Sequence, residues 1–325
     1  MKKTYFLLAL MVITCSVFYY GCDDAGTLPV QIKAGQVVLM QDPKLPTLDP
    51  VNDGMYNLWL AIADTSGIQR LTHLGRFNVL ADGSIVDQDG NPVTLSVNPN
   101  DTVDLARAQY SVISIDIGVV TQPGPTRIVA GPVNVLADSV TSAMRMSDTL
   151  ALGSAGASIG VPNTVLYIIN SPTGSNCAKG VWFSDQDGAV SWPSGNALKP
   201  GWGWQYRGWV RNKTTNEYFT TGTFYRADTV DSDWAGACAD TLGTGYNVPG
   251  QDWDITGCTN FASMLDGNHE VFVTLEPEFR SANIAPFVLK LYYQNLIVTS
   301  VGCNRRDNMF TQRQNLPSIN LRVTR

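Results

Sequence analysis

Charge is scarce in this sequence. Asp, Glu, Lys and Arg together make up 15% of 325 residues, and the net charge of −6 leaves no basic excess. Nucleic-acid binding wants a basic face to meet phosphates, so that class of partner is not expected. Histidine is rarer still: only His73 and His269 occur, which leaves little for general-base chemistry or imidazole-ligated metals. There is no Cys-x-x-Cys spacing, and neither histidine neighbours a cysteine, so neither a metal nor a cofactor is expected. After the first two dozen residues no apolar run reaches the ~20 residues that a spanning helix needs.

Turn formers and aromatics, by contrast, are plentiful. Glycine (29), proline (17) and 10% aromatics fit a chain of short strands better than a helical one. At the N-terminus Lys2 and Lys3 precede an uncharged apolar run from Tyr5 to Tyr20, which ends in Gly21-Cys22-Asp23-Asp24. A basic start, a short apolar core and a small residue before a cysteine are what a lipoprotein signal peptide requires. Cleavage would leave Cys22 as the lipid-carrying first residue. Tyr19 and Tyr20 are bulkier than usual there, and Cys15, inside the apolar run, is the poorer acceptor. The expectation is a signal peptide over 1–21 and a tether over 22–34. Lipid at Cys22 would be the only membrane attachment, placing the protein in the cell envelope, on the periplasmic face or the outer-membrane surface.

Four other cysteines, Cys177, Cys238, Cys258 and Cys303, all lie in the second half. In an oxidising compartment they favour two disulfides, with three connectivities open. Cys238 with Cys258 and Cys177 with Cys303 is the preferred pairing: it closes one long Gly/Thr/Asp-rich loop and joins the two ends of the second half.

Strand signals dominate from Gln36 onward. Val37 to Met40, Tyr56 to Ile62, Leu71 to Leu80, Tyr110 to Val120 and Arg127 to Val135 are separated by turn sequences such as Asp89-Gly90-Asn91-Pro92. Ser139 to Met146 reads as one or two helical turns, and a Gly/Ser/Ala-rich stretch follows. A second set of strands then covers Val165 to Ile169, Gly180 to Phe183, Gln205 to Arg211, Glu217 to Tyr225, Glu270 to Leu275 and Phe287 to Tyr293. The two sets correspond. Tyr56-x-x-Trp59 matches Tyr206-x-x-Trp209, Gly75-x-Phe77 matches Gly222-x-Phe224, and Ser111 to Asp116 matches Val271 to Glu276. The pattern is that of a divergent tandem duplication. It predicts an all-β chain of two tandem β-sandwich (immunoglobulin-like) domains over 35–137 and 163–300, a linker over 138–162 and a C-terminal extension over 301–325.

These motifs resemble the extracytoplasmic domain of anti-sigma-K factors. The first half supplies Tyr56-Asn57-Leu58-Trp59, Leu74-Gly75-Arg76-Phe77 and Pro125-Thr126, with Ile115-Asp116-Ile117 where that family has Glu-Pro. The second supplies Thr274-Leu275-Glu276-Pro277 and Ala285-Pro286-Phe287-Val288-Leu289. The resemblance implies the domain fold. The family's sigma-binding chemistry lies in a cytoplasmic domain joined through a transmembrane helix, and neither is found here.

Candidate chemistry is thin. Gly156-Ala157-Ser158-Ile159-Gly160 satisfies Gly-x-Ser-x-Gly, but a nucleophile elbow needs a helix after the serine, and Val161-Pro162-Asn163 starts one poorly. Glu276 and Glu278 flank Pro277, and Asp252 and Asp254 flank Trp253; a strand ending at a bend is the simpler explanation of the first pair. Asp228, Asp231 and Asp233 offer oxygens for calcium but lack EF-hand spacing. The aromatics Trp192, Trp202 and Trp204 are the stronger signal, a candidate surface for an envelope protein or a polysaccharide. The expected function is a non-catalytic binding or structural role. The alternatives are extracytoplasmic regulation and, less favoured, an envelope hydrolase.

Overall fold

The computed structural model describes residues 36–97, 103–156, 159, 164–170, 178–183, 198–232, 248–255, 263–280, 285–296 and 305–324. The N-terminal segment with Cys22 lies outside the described residues, as do Cys177, Cys238, Cys258 and Cys303, Ser158, Trp192 and Asp233.

Among the described residues there are two sheets and one four-residue α-helix. The first has eight strands: β1 (Val37–Gln41), β2 (Met55–Ala63), β3 (Gln69–Val79), β4 (Ile85–Val86), β5 (Ala108–Asp116), β6 (Arg127–Val135), β7 (Ser139–Arg145) and β15 (Ser318–Thr324). Their spatial order is β1-β15-β7-β6-β5-β2-β3-β4. The second joins β8 (Thr164–Asn170), β9 (Gly180–Trp182), β10 (Trp204–Asn212), β11 (Tyr218–Phe224), β12 (His269–Pro277), β13 (Lys290–Asn295) and β14 (Arg305–Thr311). They run in the order β11-β10-β12-β13-β14-β8-β9. All pairings between these strands are antiparallel.

Strand periodicity explains the central elements. In β2, Tyr56, Leu58 and Leu60 point to one side and enter the main core with Ile113 and Ile115 of β5. Trp59 takes the other side, in a small cluster with Val112, Ala130 and Ala151. Alternation by two is what puts these residues on opposite faces. The helix α1 (Thr149–Leu152) covers that second face through Ala151, and Asp148 caps it by accepting from Leu150 N.

Three segments differ from expectation. Ser139–Arg145 is a strand, not helical turns: Val140, Ser142 and Met144 are buried while Ala143 between them is exposed, and that period of two wins over weak helix signals. The strand at Tyr110 stops at Asp116, leaving Ile117 and Val119 exposed in a loop. The strand expected from Phe287 begins only at Lys290. The 301–325 segment, read as an extension, holds β14 and β15. β15 inserts between β1 and β7, burying Ile319, Leu321 and Val323.

Strand order repeats between the sheets. β3-β2-β5-β6-β7 in the first corresponds to β11-β10-β12-β13-β14 in the second. Registers repeat as well. Tyr56 sits opposite Phe77 and Ile115, and Tyr206 sits opposite Phe224 and Leu275. Even the irregularities match: the register slips between Leu58 and Trp59 in one and between Arg207 and Trp209 in the other. Both slips face the glycine of the Gly-x-Phe motif, Gly75 (φ +149°) or Gly222 (φ +103°). A bulge that needs positive φ is the reason for glycine there.

One continuous apolar cluster includes residues of both sheets, among them Tyr56, Ile113, Tyr206 and Val271. Polar links cross between the halves too. Thr126 Oγ1 donates to Gly203 O (3.0 Å), and Trp204 Nε1 donates to Arg127 O (3.1 Å).

Candidate functional site

The repeated strands bring the same chemistry together twice. On β2 and β5, Asn57 and Trp59 share a face with Ser114 and Asp116, because β2 and β5 pair Asn57 with Ser114 and Met55 with Asp116. Trp59 Nε1 donates to Ser114 Oγ (3.1 Å), Ser114 Oγ donates to Asp116 Oδ2 (2.5 Å), and Asn57 Nδ2 donates to the same oxygen (3.1 Å). The other carboxylate oxygen accepts from Gly124 N (2.9 Å) in the proline-bearing return loop.

On β10 and β12 the equivalent positions are Arg207, Trp209, Thr274 and Glu276. Trp209 Nε1 donates to Thr274 Oγ1 (2.9 Å) and Glu276 Oε1 (3.2 Å), and Thr274 Oγ1 donates to Glu276 Oε1 (2.6 Å). Phe287 N, in the return loop of this half, also donates to Glu276 Oε1 (3.2 Å). Tryptophan, hydroxyl, carboxylate and return-loop amide therefore recur in the same places.

What neutralises the carboxylate differs. Glu276 Oε2 pairs with Arg207 Nε (3.1 Å) and Arg280 Nη1 (3.3 Å), all three side chains being nearly inaccessible to solvent. Arg280 continues to Asp53 Oδ1 of the first half (2.7 Å) and to Ala285 O (3.0 Å). A buried carboxylate is tolerated only when charges and hydrogen bonds replace its water, and here every partner is a structural one.

The remaining sequence candidates fall into separate places. Glu276 and Glu278 flank Pro277 but do not act as a pair: Glu278 faces the Gly201–Gly203 loop, accepting from Gly201 N (2.8 Å) and Gly203 N (3.0 Å). His269 is fully buried, with Nδ1 2.9 Å from Asp266 Oδ1. His73 lies against Trp59 with the rings tilted by 38° (4.5 Å between ring centres) and Nε2 3.1 Å from Asn57 Oδ1. Partial desolvation pushes its pKa below the usual imidazole value, although the residue keeps an exposed edge. Asp252 and Asp254 are buried. Asp231 accepts from Gly250 N (2.7 Å), and Asp228 pairs with Arg226. Among the described residues no group of three or more His, Cys, Asp or Glu could hold a metal ion, and no helix is long and apolar enough to cross a membrane.

Of the aromatics proposed as a surface, Trp204 is fully buried and contributes to the core. Trp202 is half-buried and lines a cleft of about 290 Å³ with Pro125, Arg127, Thr149, Leu150, Ala151, Gly153 and Gly201. The loop bearing it is held from below by Glu278 and pressed on the first half at Gly203, where a Cβ would lie 2.4 Å from Thr126 N.

Reading the sequence alone passed over Asp53, Arg280, Ser114 and Thr274. The aligned stretches Ser111 to Asp116 and Val271 to Glu276 contained the signal, because a hydroxyl two residues before an acid recurs in both. Arg280 and Asp53, 227 residues apart, had no local signal at all.

Compared with known protein families, with curated proteins and with solved structures, the chain finds no match.

Proposed function

We propose that this chain is a non-catalytic, lipid-anchored protein of the bacterial cell envelope, built from two related immunoglobulin-like β-sandwich copies that serve binding or structural roles. The observation that carries the reading is the doubled clasp. The carboxylates, hydroxyls and tryptophans that would attract attention as reactive groups are spent, in both halves, on tying a strand end to its return loop. Glu276 is surrounded by two guanidiniums and three hydrogen-bond donors, which keeps it out of reach of a substrate. Matching strand order, bulges and clasps support descent from one duplicated unit, with β15 added to the first sheet from the far end of the chain. The motifs shared with the anti-sigma-K extracytoplasmic domain favour the same unit as the ancestor, without its regulatory partner.

Attachment through Cys22 follows from the Lys2-Lys3 start, the apolar run and Gly21-Cys22. Exposed to an oxidising compartment, Cys238 would pair with Cys258 and Cys177 with Cys303. Metabolic labelling with a palmitate analogue tests the anchor: the intact chain should incorporate label and fractionate with membranes. Cys22→Ala should lose both, and label retained in Cys22→Ala would overturn the assignment.

A further inference from the structure

The cleft beside Trp202 has features that the structural role does not use. Trp202 projects from a three-residue loop whose two flanking amides are fixed by one carboxylate, Glu278. A second contact fixes the ring: at Gly153 a Cβ would come within 1.7 Å of the indole carbon Cζ3. The indole is thus held in place before anything binds, which lowers the ordering cost of a contact. Two cations flank it in a protein of net charge −6. Lys199 Nζ rests 4.9 Å from the centre of the ring, and Arg127 lines the cleft, its Nη1 making a long 3.4 Å bond to Leu150 O. Thr149 adds a hydroxyl, and Pro125 and Leu150 add apolar surface. Two carboxylates bonded to residues of the cleft are already engaged: Glu278 by the loop amides and Asp148 by Leu150 N.

We infer that this cleft is a subsite for an acidic saccharide unit, a uronic-acid residue of a polysaccharide. A pyranose has an apolar C–H face that packs on an indole, and its ring edge is polar, matching the amphipathic lining. A carboxylate on that ring takes up the guanidinium of Arg127 and the ammonium of Lys199, which leaves its position over the indole when the ring stacks there. A cationic ligand would meet repulsion from both residues. The volume of about 290 Å³ is at the small end for ligand sites, suited to one sugar unit of a longer chain. The inference rests on the binding role proposed above but not on lipidation, so palmitate labelling and saccharide binding can fail independently.

The test is binding of the full chain, purified in detergent, to polygalacturonate, to fully methyl-esterified polygalacturonate and to dextran, at low and at raised salt. Polygalacturonate should bind at least about tenfold more tightly than its ester, and dextran least. Trp202→Ala should weaken polygalacturonate binding about tenfold or more, and Lys199→Gln and Arg127→Gln several-fold each, with thermal unfolding confirming that each variant is folded. Lys199 is exposed, so its substitution keeps the test open if Trp202→Ala does not fold. Equal affinity for the acid and its ester, binding unchanged in Lys199→Gln, or no binding of polygalacturonate would overturn the inference.

Discussion

Asp116 and Glu276 occupy the same place in their two sheets and are kept there by different means. Around Asp116 the donors are neutral: a serine hydroxyl, an asparagine amide and a glycine N–H. Around Glu276 two arginines join the hydroxyl, the indole and the return-loop amide. Asp116 retains 6% exposure where Glu276 has none, which fits the rule that a fully dry carboxylate needs opposite charge while a nearly dry one can be held by dipoles. The second clasp also reaches out of its own half, since Arg280 is shared between Glu276 and Asp53. The tryptophan–hydroxyl–carboxylate link recurs in both, and the groups that surround the carboxylate differ.

The sharpest way to break that contrast is Glu276→Gln. It takes an anion away from two buried guanidiniums, Arg207 and Arg280, so a loss of about 3–5 kcal/mol is expected, read as a fall in the denaturation midpoint in urea. Asp116→Asn removes a charge that forms no ion pair with Lys or Arg among the described residues, and it should cost less, about 1–3 kcal/mol, the range for leaving buried donors poorly matched. Equal losses would mean that the arginines add nothing to the second clasp.

A smaller effect separates the halves by pH. His73 belongs to the first clasp alone, and its folded pKa is depressed by partial desolvation. The unfolded chain therefore takes up the proton more readily, so His73's contribution is complete above the ordinary imidazole pKa of about 6.5 and is lost as pH falls below it, through the depressed folded value. Unfolding midpoints measured from about pH 7.5 down to pH 5 should fall more steeply in the parent than in His73→Gln; parallel curves would remove His73 from the first clasp.

Much of the architecture is legible in the sequence because strand signals are local. Tyr-x-x-Trp, Gly-x-Phe and the turn dipeptides place β2, β3, β10 and β11 directly, and Gly75 and Gly222 mark bulges that only a repeat comparison relates. β7 was less legible, since Ser139, Ser142 and Ala143 are weak strand formers and become a strand by pairing with β6 and β15. β15 belongs with β1 through partners nearly 300 residues away, a pairing no local pattern encodes. The clasps were half visible: their tryptophans and acids stand out, but their hydroxyls look ordinary until the register of β5 and β12 sets them between the two. Trp204 was misleading for a related reason, because its indole N–H finds the carbonyl of Arg127 in the other half and the ring can be buried.

The central claim is that the two halves share one tryptophan–hydroxyl link. Double-mutant cycles test it most directly, pairing Trp59→Phe with Ser114→Ala in one half and Trp209→Phe with Thr274→Val in the other, with stability read from urea unfolding. Coupling of about 1 kcal/mol in each cycle is expected for a buried hydrogen bond. Strictly additive losses in either half would contradict a clasp common to both.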